Sequence, residues 1–137
     1  MSLFTLYIVN RAGGLVYNRD LAPGVPRLAA NDYLRNASMF HSLYAIASQL
    51  APVPSVGIET LEADSFTLEC FQSPTGIKFF VTARLGSSGL QEFLRTVYQL
   101  FADYVLKNPF YETDMPIRVE KFDAAVDRLA ASRDVSL

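Results

Sequence analysis

One cysteine and one histidine are all that the 137 residues hold of the side chains from which thiol chemistry and imidazole catalysis are built. Cys70 has no second cysteine to pair with, which excludes an internal disulfide framework and fits a reducing compartment. His41 and Cys70 together leave too few ligands for a zinc site, and no cofactor is expected. A basic run is also missing. The 12 Lys and Arg residues stand against 14 Asp and Glu, a net charge of −2. That balance gives no electrostatic reason to bind nucleic acid or an anionic membrane. The opening "MSLFTLYIVNR" has neither a basic n-region nor a small-residue cleavage site, so no signal peptide is expected. "RAGG" lacks the Lys-Ser/Thr of a phosphate loop and leads into a strand, and there is no GxSxG elbow.

The most informative absence is local. No Asp, Glu, Lys or Arg occurs from Asn36 to Ile58, although "SMFHSLYAIASQL", Ser38 to Leu50, reads as a helix. A membrane span does not explain this. Ser38, His41, Ser42, Ser48 and Gln49 interrupt the window, and Pro52 and Pro54 end it.

What is present is mostly apolar. Half of the residues are hydrophobic, which is enough for one domain with a real core. A single domain over 1–132 is expected, with 133–137 as a loose tail. "LFTLYIVN" is apolar on both alternating faces, so it reads as a central strand covered above and below. Gly13 and Gly14 supply the positive φ of a hairpin into "LVYNRD". Helix one is expected from about Asn31 to Leu50, capped by Asn31 or Asp32. A meander follows: Val56 to Leu61, then "SFTLECFQ", then "GIKFFVTA". In it Phe66, Leu68, Cys70, Ile77, Phe79 and Val81 point inward, while Thr67, Glu69 and Lys78 point outward. Helix two spans about Gly89 to Lys107, with Ser88 and Gln91 as a capping box. Its Leu90, Phe93, Leu94, Val97, Leu100, Phe101, Tyr104 and Val105 form a stripe opposite Glu92, Arg95, Gln99 and Asp103. "FYETDMP" is a loop. Helix three runs from about Val119 to Ser132, with Phe122, Val126 and Leu129 on one face. The order β-β-α-β-β-β-α-α predicts an α+β domain, a five-stranded mixed sheet with helices on both faces.

Spacing of 100° per residue groups Tyr33, Ala37, Phe40, Tyr44 and Ala47 on helix one, with Met39, Leu43, Ile46 and Leu50 widening that core arc. The remaining arc holds Ser38, His41, Ser42, Ala45, Ser48 and Gln49. Small neutral polar groups can be buried against another chain without desolvating charge. This arc therefore reads as a protein interface, with Ser38, His41, Ser42, Ala45 and Gln49 as its candidate residues. The alternative is a helix central to its own fold, or an arc simply solvated by small residues. No catalytic set competes with the interface. Cys70 alternates inward on a strand, and the pairs Glu59/Glu62 and Glu112/Asp114 read as solvated.

"VNRAGGLVYNRD", "ASMFHSLYAIASQLAP", "GIETLEADSFTLECFQSPTGIKFFV" and "LKNPFYETDMPIR" together resemble the synbindin family of TRAPP subunits, over Leu3 to about Phe122. "SMFHSL" and "KNPFY-x-x-x-MPI" are the specific parts, since other longin domains lack them. The resemblance implies a longin (SNARE-like) fold and a non-enzymatic subunit of a tethering complex in ER-to-Golgi traffic. It implies a cytoplasmic protein peripheral to Golgi and endoplasmic reticulum membranes. Its partners would be other TRAPP subunits, including a second longin subunit, and a Rab GTPase reached through the assembled exchange core. Animal members carry a PDZ-like insertion between the first hairpin and helix one. Here only about Leu21 to Ala30 lies there, so binding that belongs to the insertion is not carried over. The specific loop adds a second candidate surface, with Asn108, Tyr111 and Asp114, unless Phe110 and Tyr111 pack inward to orient helix three. The competing readings are another longin adaptor, such as a coat small chain or SNARE regulator, and a small enzyme on a profilin-like scaffold. The lack of paired catalytic groups argues against the last.

Overall fold

A computed structural model describes residues 3–21, 30–50, 60–62, 66–85, 89–111 and 115–135. Strand β1, Leu3–Val9, carries apolar side chains on both faces, and so does β5, Lys78–Arg84. They pair with each other at the centre of the sheet. β2, Leu15–Asp20, flanks β1, while β4, Phe66–Gln72, and the short β3, Thr60–Glu62, lie beyond β5, giving the order β2-β1-β5-β4-β3. All four pairings are antiparallel, which corrects the mixed sheet expected from the sequence. Consecutive strands joined by tight turns must run antiparallel, and β5 enters beside β1 in the opposite direction.

The first hairpin turns at Gly13, whose φ is 94°. Asn10, which the sequence pattern did not single out, closes the turn. Its side-chain oxygen accepts from the amides of Ala12 at 3.0 Å and Gly14 at 2.8 Å. β3 is found at Thr60–Glu62, so most of the strand expected at Val56 to Leu61 lies outside the described residues.

Helix α1, Ala30–Leu50, begins early enough that Asn31 and Asp32 fall within its first turn rather than at its cap. Helix α2, Leu90–Phe101, continues as a π-helical turn, Ala102–Leu106. Its N-cap is Gly89 in the left-handed region at φ 72°, with no side-chain cap. With Gly89 as the N-cap, Gln91 stands two residues after the cap rather than three, and its amide nitrogen donates to Glu69 Oε1 at 3.1 Å and to the Cys70 carbonyl at 2.9 Å. Ser88 lies outside the described residues. Helix α3, Glu120–Val135, runs past Ser132 into the segment read as a tail.

Helices cover both faces of the sheet. On one, Leu6, Ile8, Phe79 and Val81 meet Phe93, Leu94, Val97 and Phe101 of α2 and Phe122 and Val126 of α3. On the other, Tyr7, Val9, Leu68, Cys70 and Phe80 meet Tyr33, Ala37, Phe40 and Tyr44 of α1. Cover on both faces corrects the outward placement of Thr67, Glu69 and Lys78, all of which are buried: Glu69 meets Gln91 of α2, and Lys78 lies over Tyr44 of α1. A period-2 pattern tells the faces apart but does not say that one is wet. Glu69 is buried with donors at hand: Thr60 Oγ1 lies 2.8 and 2.9 Å from its carboxylate oxygens, and Gln91 supplies another bond.

Polar groups tie α3 to the edge strand. The Tyr17 hydroxyl donates to Asp123 at 2.6 Å, and the Arg19 guanidinium grips both oxygens of Asp127 at 2.7 and 2.6 Å. Upstream of α3, the Ile117 amide donates to the Val16 carbonyl at 2.8 Å, on the outer edge of β2.

Phe80 is 1% exposed and bridges the sheet to α1, whereas Phe66 is half-buried at the margin of the same cluster. Phe80→Ala should cost about 3–5 kcal/mol in chemical denaturation, and Phe66→Ala clearly less. Equal losses would contradict this placement of the core.

Candidate functional site: the outer arc of helix α1 and the 108–115 loop

The rotation of α1 is fixed from beneath. Phe40 packs edge-on to Tyr7 and tilted against Phe80, with ring centroids 5.4 Å apart in both pairs. Three polar contacts hold the flanks of this seam. The Tyr33 hydroxyl donates to Asp20 at 2.8 Å, the Asn36 amide donates to the Tyr7 hydroxyl at 3.1 Å, and the Tyr44 hydroxyl donates to the Gln72 side-chain oxygen. A helix held this way has one outward arc.

Ser38, Ser42 and Ala45 lie on that arc and are exposed, as the sequence predicted. Met39 and Ile46, placed in the core by the sequence reading, are exposed to 49% and 51%. The seam admits only a narrow stripe of side chains. At 100° per residue, Met39 and Ile46 stand more than about 120° from its centre, so a stricter arc would have found them. Leu34, one turn before Ser38, is 48% exposed as well. The arc is thus both uncharged beyond Arg35 and partly apolar, a composition typical of buried contact surface.

His41 does not join the open arc. It is half-buried against the hairpin turn, where a Cβ on Gly13 would come within 2.8 Å of His41 Cδ2. Its Nδ1 is buried without a hydrogen-bond partner. Burial pushes the imidazole pKa down, and the Lys78 ammonium pushes it further. The side chain of Gln49 lies outside the described residues.

The loop after α2 is built around Asn108. Its side-chain oxygen accepts the Phe110 amide at 3.0 Å, and its carbonyl accepts the Tyr111 amide at 3.1 Å. The Tyr111 hydroxyl donates to the Met115 carbonyl at 3.1 Å, while its ring packs against the α2–α3 core. Asn108 and Tyr111 therefore shape the loop. The residue they present is Phe110, 87% exposed, so of the two readings of this loop the inward one does not hold for Phe110. Met115 is 43% exposed nearby in the chain. Asp114 lies outside the described residues. The α1 arc and this loop belong to elements on opposite faces of the sheet.

Among the described residues, no three His, Cys, Asp or Glu side chains gather where a metal could bind. No described helix is long and apolar enough to cross a membrane. Cys70 is buried in the α1 layer.

These features define an α+β domain with an uncharged, partly apolar helix arc on one side of a doubly covered sheet and an exposed Phe110 on the other. The chain belongs to the Sybindin-like family, whose model matches residues 3–133. It is 48% identical to trafficking protein particle complex subunit 4 of Dictyostelium discoideum over 98% of this chain and 100% of that one. Subunit 4 of Homo sapiens is 54% identical over 73% of this chain and 46% of its own length. This chain thus matches about half the length of that relative and of the bovine, mouse and orangutan proteins of the same name. Subunit 1 of the same complex, from Rattus norvegicus, is 24% identical over 96% of this chain and 94% of that one. Among solved structures, MglB in a tetrameric arrangement aligns with a TM-score of 0.45 at 10% identity, over 95% of this chain and 79% of that one, too loose a match to support a functional reading.

Two measurements test the site as described. The pKa of His41 is lower folded than unfolded, so its share of stability is complete above the ordinary imidazole value of about 6.5 and is lost as pH falls through the folded pKa. Stability should fall on acidification in that window, and His41→Gln should flatten the fall. Phe110→Ser should shift stability by no more than about 0.5 kcal/mol in thermal denaturation, because the ring touches little.

Proposed function

We propose that this chain is a non-catalytic subunit of a TRAPP-type tethering complex in ER-to-Golgi transport. The observation that carries the proposal is the 48% identity to a trafficking protein particle complex subunit 4 over the full length of that relative. A subunit numbered 1 in the same complex is also related along nearly its whole length, which supports a second longin-type chain as the neighbour. The physical support is the outer arc of α1, uncharged and partly apolar where a free surface would carry Lys and Glu. The chain docks its neighbour through Ser38, Met39, Ser42, Ala45 and Ile46. Through the assembled complex it helps form the surface that promotes guanine-nucleotide exchange on a Rab GTPase, and it has no exchange activity alone. The protein is cytoplasmic and peripheral to Golgi and endoplasmic reticulum membranes.

The test is the mass of the purified chain in solution, alone and mixed with trafficking protein particle complex subunit 1. A 1:1 complex is expected. Ser42→Arg should leave the fold intact and weaken that complex by about tenfold or more, since it places a charge inside the contact. Unchanged affinity would remove α1 from the interface. Co-purification with coat or SNARE components instead would favour a different longin adaptor.

A further inference from the structure

At one end of the sheet the Asn10–Gly14 turn meets the Ser73–Ile77 turn. Between them lies an open notch of about 430 Å³, lined by Arg11, Gln72, Thr75, Gly76 and Lys78. Two cations face it and no carboxylate does. Lys78 is only 7% exposed, and its ammonium lies 5.1 Å from the centroid of the Tyr44 ring. Neither Lys78 nor Arg11 enters an ion pair among the described residues. A ring face offsets only part of the cost of taking an ammonium out of water, and burial pushes its pKa down. Arg11 is aimed by its neighbour. Gly76 sits at φ 90°, and a Cβ there would come within 2.8 Å of Arg11 Cγ, so the bare glycine lets the arginine stem lie across the turn.

The main chain of the Ser73–Ile77 turn narrows the ligand chemistry. The Gly76 amide donates to the Ser73 carbonyl at 3.0 Å, the Ser73 amide to the Ile77 carbonyl at 2.8 Å, and the Ile77 amide to Ser73 Oγ at 3.2 Å. Phosphate sites commonly rely on a nest of successive free backbone N–H groups, and this turn has committed those of Ser73, Gly76 and Ile77. What remains is a pair of side-chain cations, suited to a group with two anionic oxygens. Helix α1 borders the notch through His41, which rests on Gly13, and through Tyr44, which lies under Lys78. A protein lying along Ser42 and Ala45 would pass its rim.

We infer that the notch is a socket for a carboxylate side chain, an Asp or Glu of the protein that docks on α1. The source of the carboxylate rests on the docking role proposed above, whereas the chemistry of the socket does not. Two measurements on the whole chain separate them. In the first, ¹H–¹⁵N spectra are recorded while hexaglutamate peptide, and separately inorganic phosphate, is added. The peptide should give saturable shifts at Arg11, Gly76 and Lys78 that are lost in Lys78→Met and in Arg11→Gln, with phosphate binding more weakly. No saturation, shifts that survive both variants, or tighter binding of phosphate would each overturn the socket. Arg11 is exposed, so its variant serves even if Lys78→Met disturbs packing. In the second, both variants should weaken the complex with subunit 1 by about tenfold and flatten its dependence on salt. Unchanged affinity in both would overturn a partner carboxylate. If the unaltered chain forms no complex, the docking role fails, and the peptide titration alone decides the socket.

Discussion

The pairing of β1 with β5 is the contact on which the rest of the molecule depends. Each strand is apolar on both sides: Leu6 and Ile8 against Tyr7 and Val9 in β1, Phe79 and Val81 against Phe80 in β5. Side chains alternate along a strand, so such a pair cannot face water on either side. Two helical layers are then required. The amphipathic stripe of α2, joined by α3, supplies one. α1 must supply the other alone, and among the described residues Tyr33, Ala37, Phe40 and Tyr44 do so along a narrow seam.

That narrowness shapes the surface. A helix with a wide core face keeps its large apolar residues inside. α1 keeps the tyrosines, Phe40 and Ala37, and leaves Met39 and Ile46 outside among serines. The Asp20, Tyr7 and Gln72 contacts resist a roll that would bury them. The same layer traps Lys78 beneath α1, next to the turn that aims Arg11. The uncharged arc and the burial of the Lys78 ammonium are thus two consequences of one packing arrangement.

Much of this was legible in the sequence, and the failures have causes. The α+β class followed from the two-sided "LFTLYIVN" and from helices with distinct spacing. The inner residues of α2 and the outer Ser38, Ser42 and Ala45 also followed, because a helical period assigns faces without knowledge of neighbours. Period 2 carried less. It separated Glu69 and Lys78 from Leu68 and Phe79, yet could not show that a helix covers both sides. The loop around Phe110 was left with two readings, because hydrophobicity suggests burial of a ring that a contact surface would expose. Only the hydrogen bonds that Asn108 accepts from the Phe110 and Tyr111 amides reveal a loop closed on itself with the Phe110 ring left outside. Likewise the partners of Gln91 and the meeting of Arg11 with Lys78 join segments far apart in the chain, which no local pattern encodes.

The bond from the Ile117 amide to the Val16 carbonyl also bears on the order in which the chain is made. During synthesis from the N-terminus, the hairpin of β1 and β2 emerges with both outer edges bare. One edge waits for β5, and the other for a residue near the last helix. A nascent chain therefore carries an open, apolar hairpin through most of its own translation, a long interval in which chaperones, or the strands of a neighbouring nascent chain, compete with the native partners.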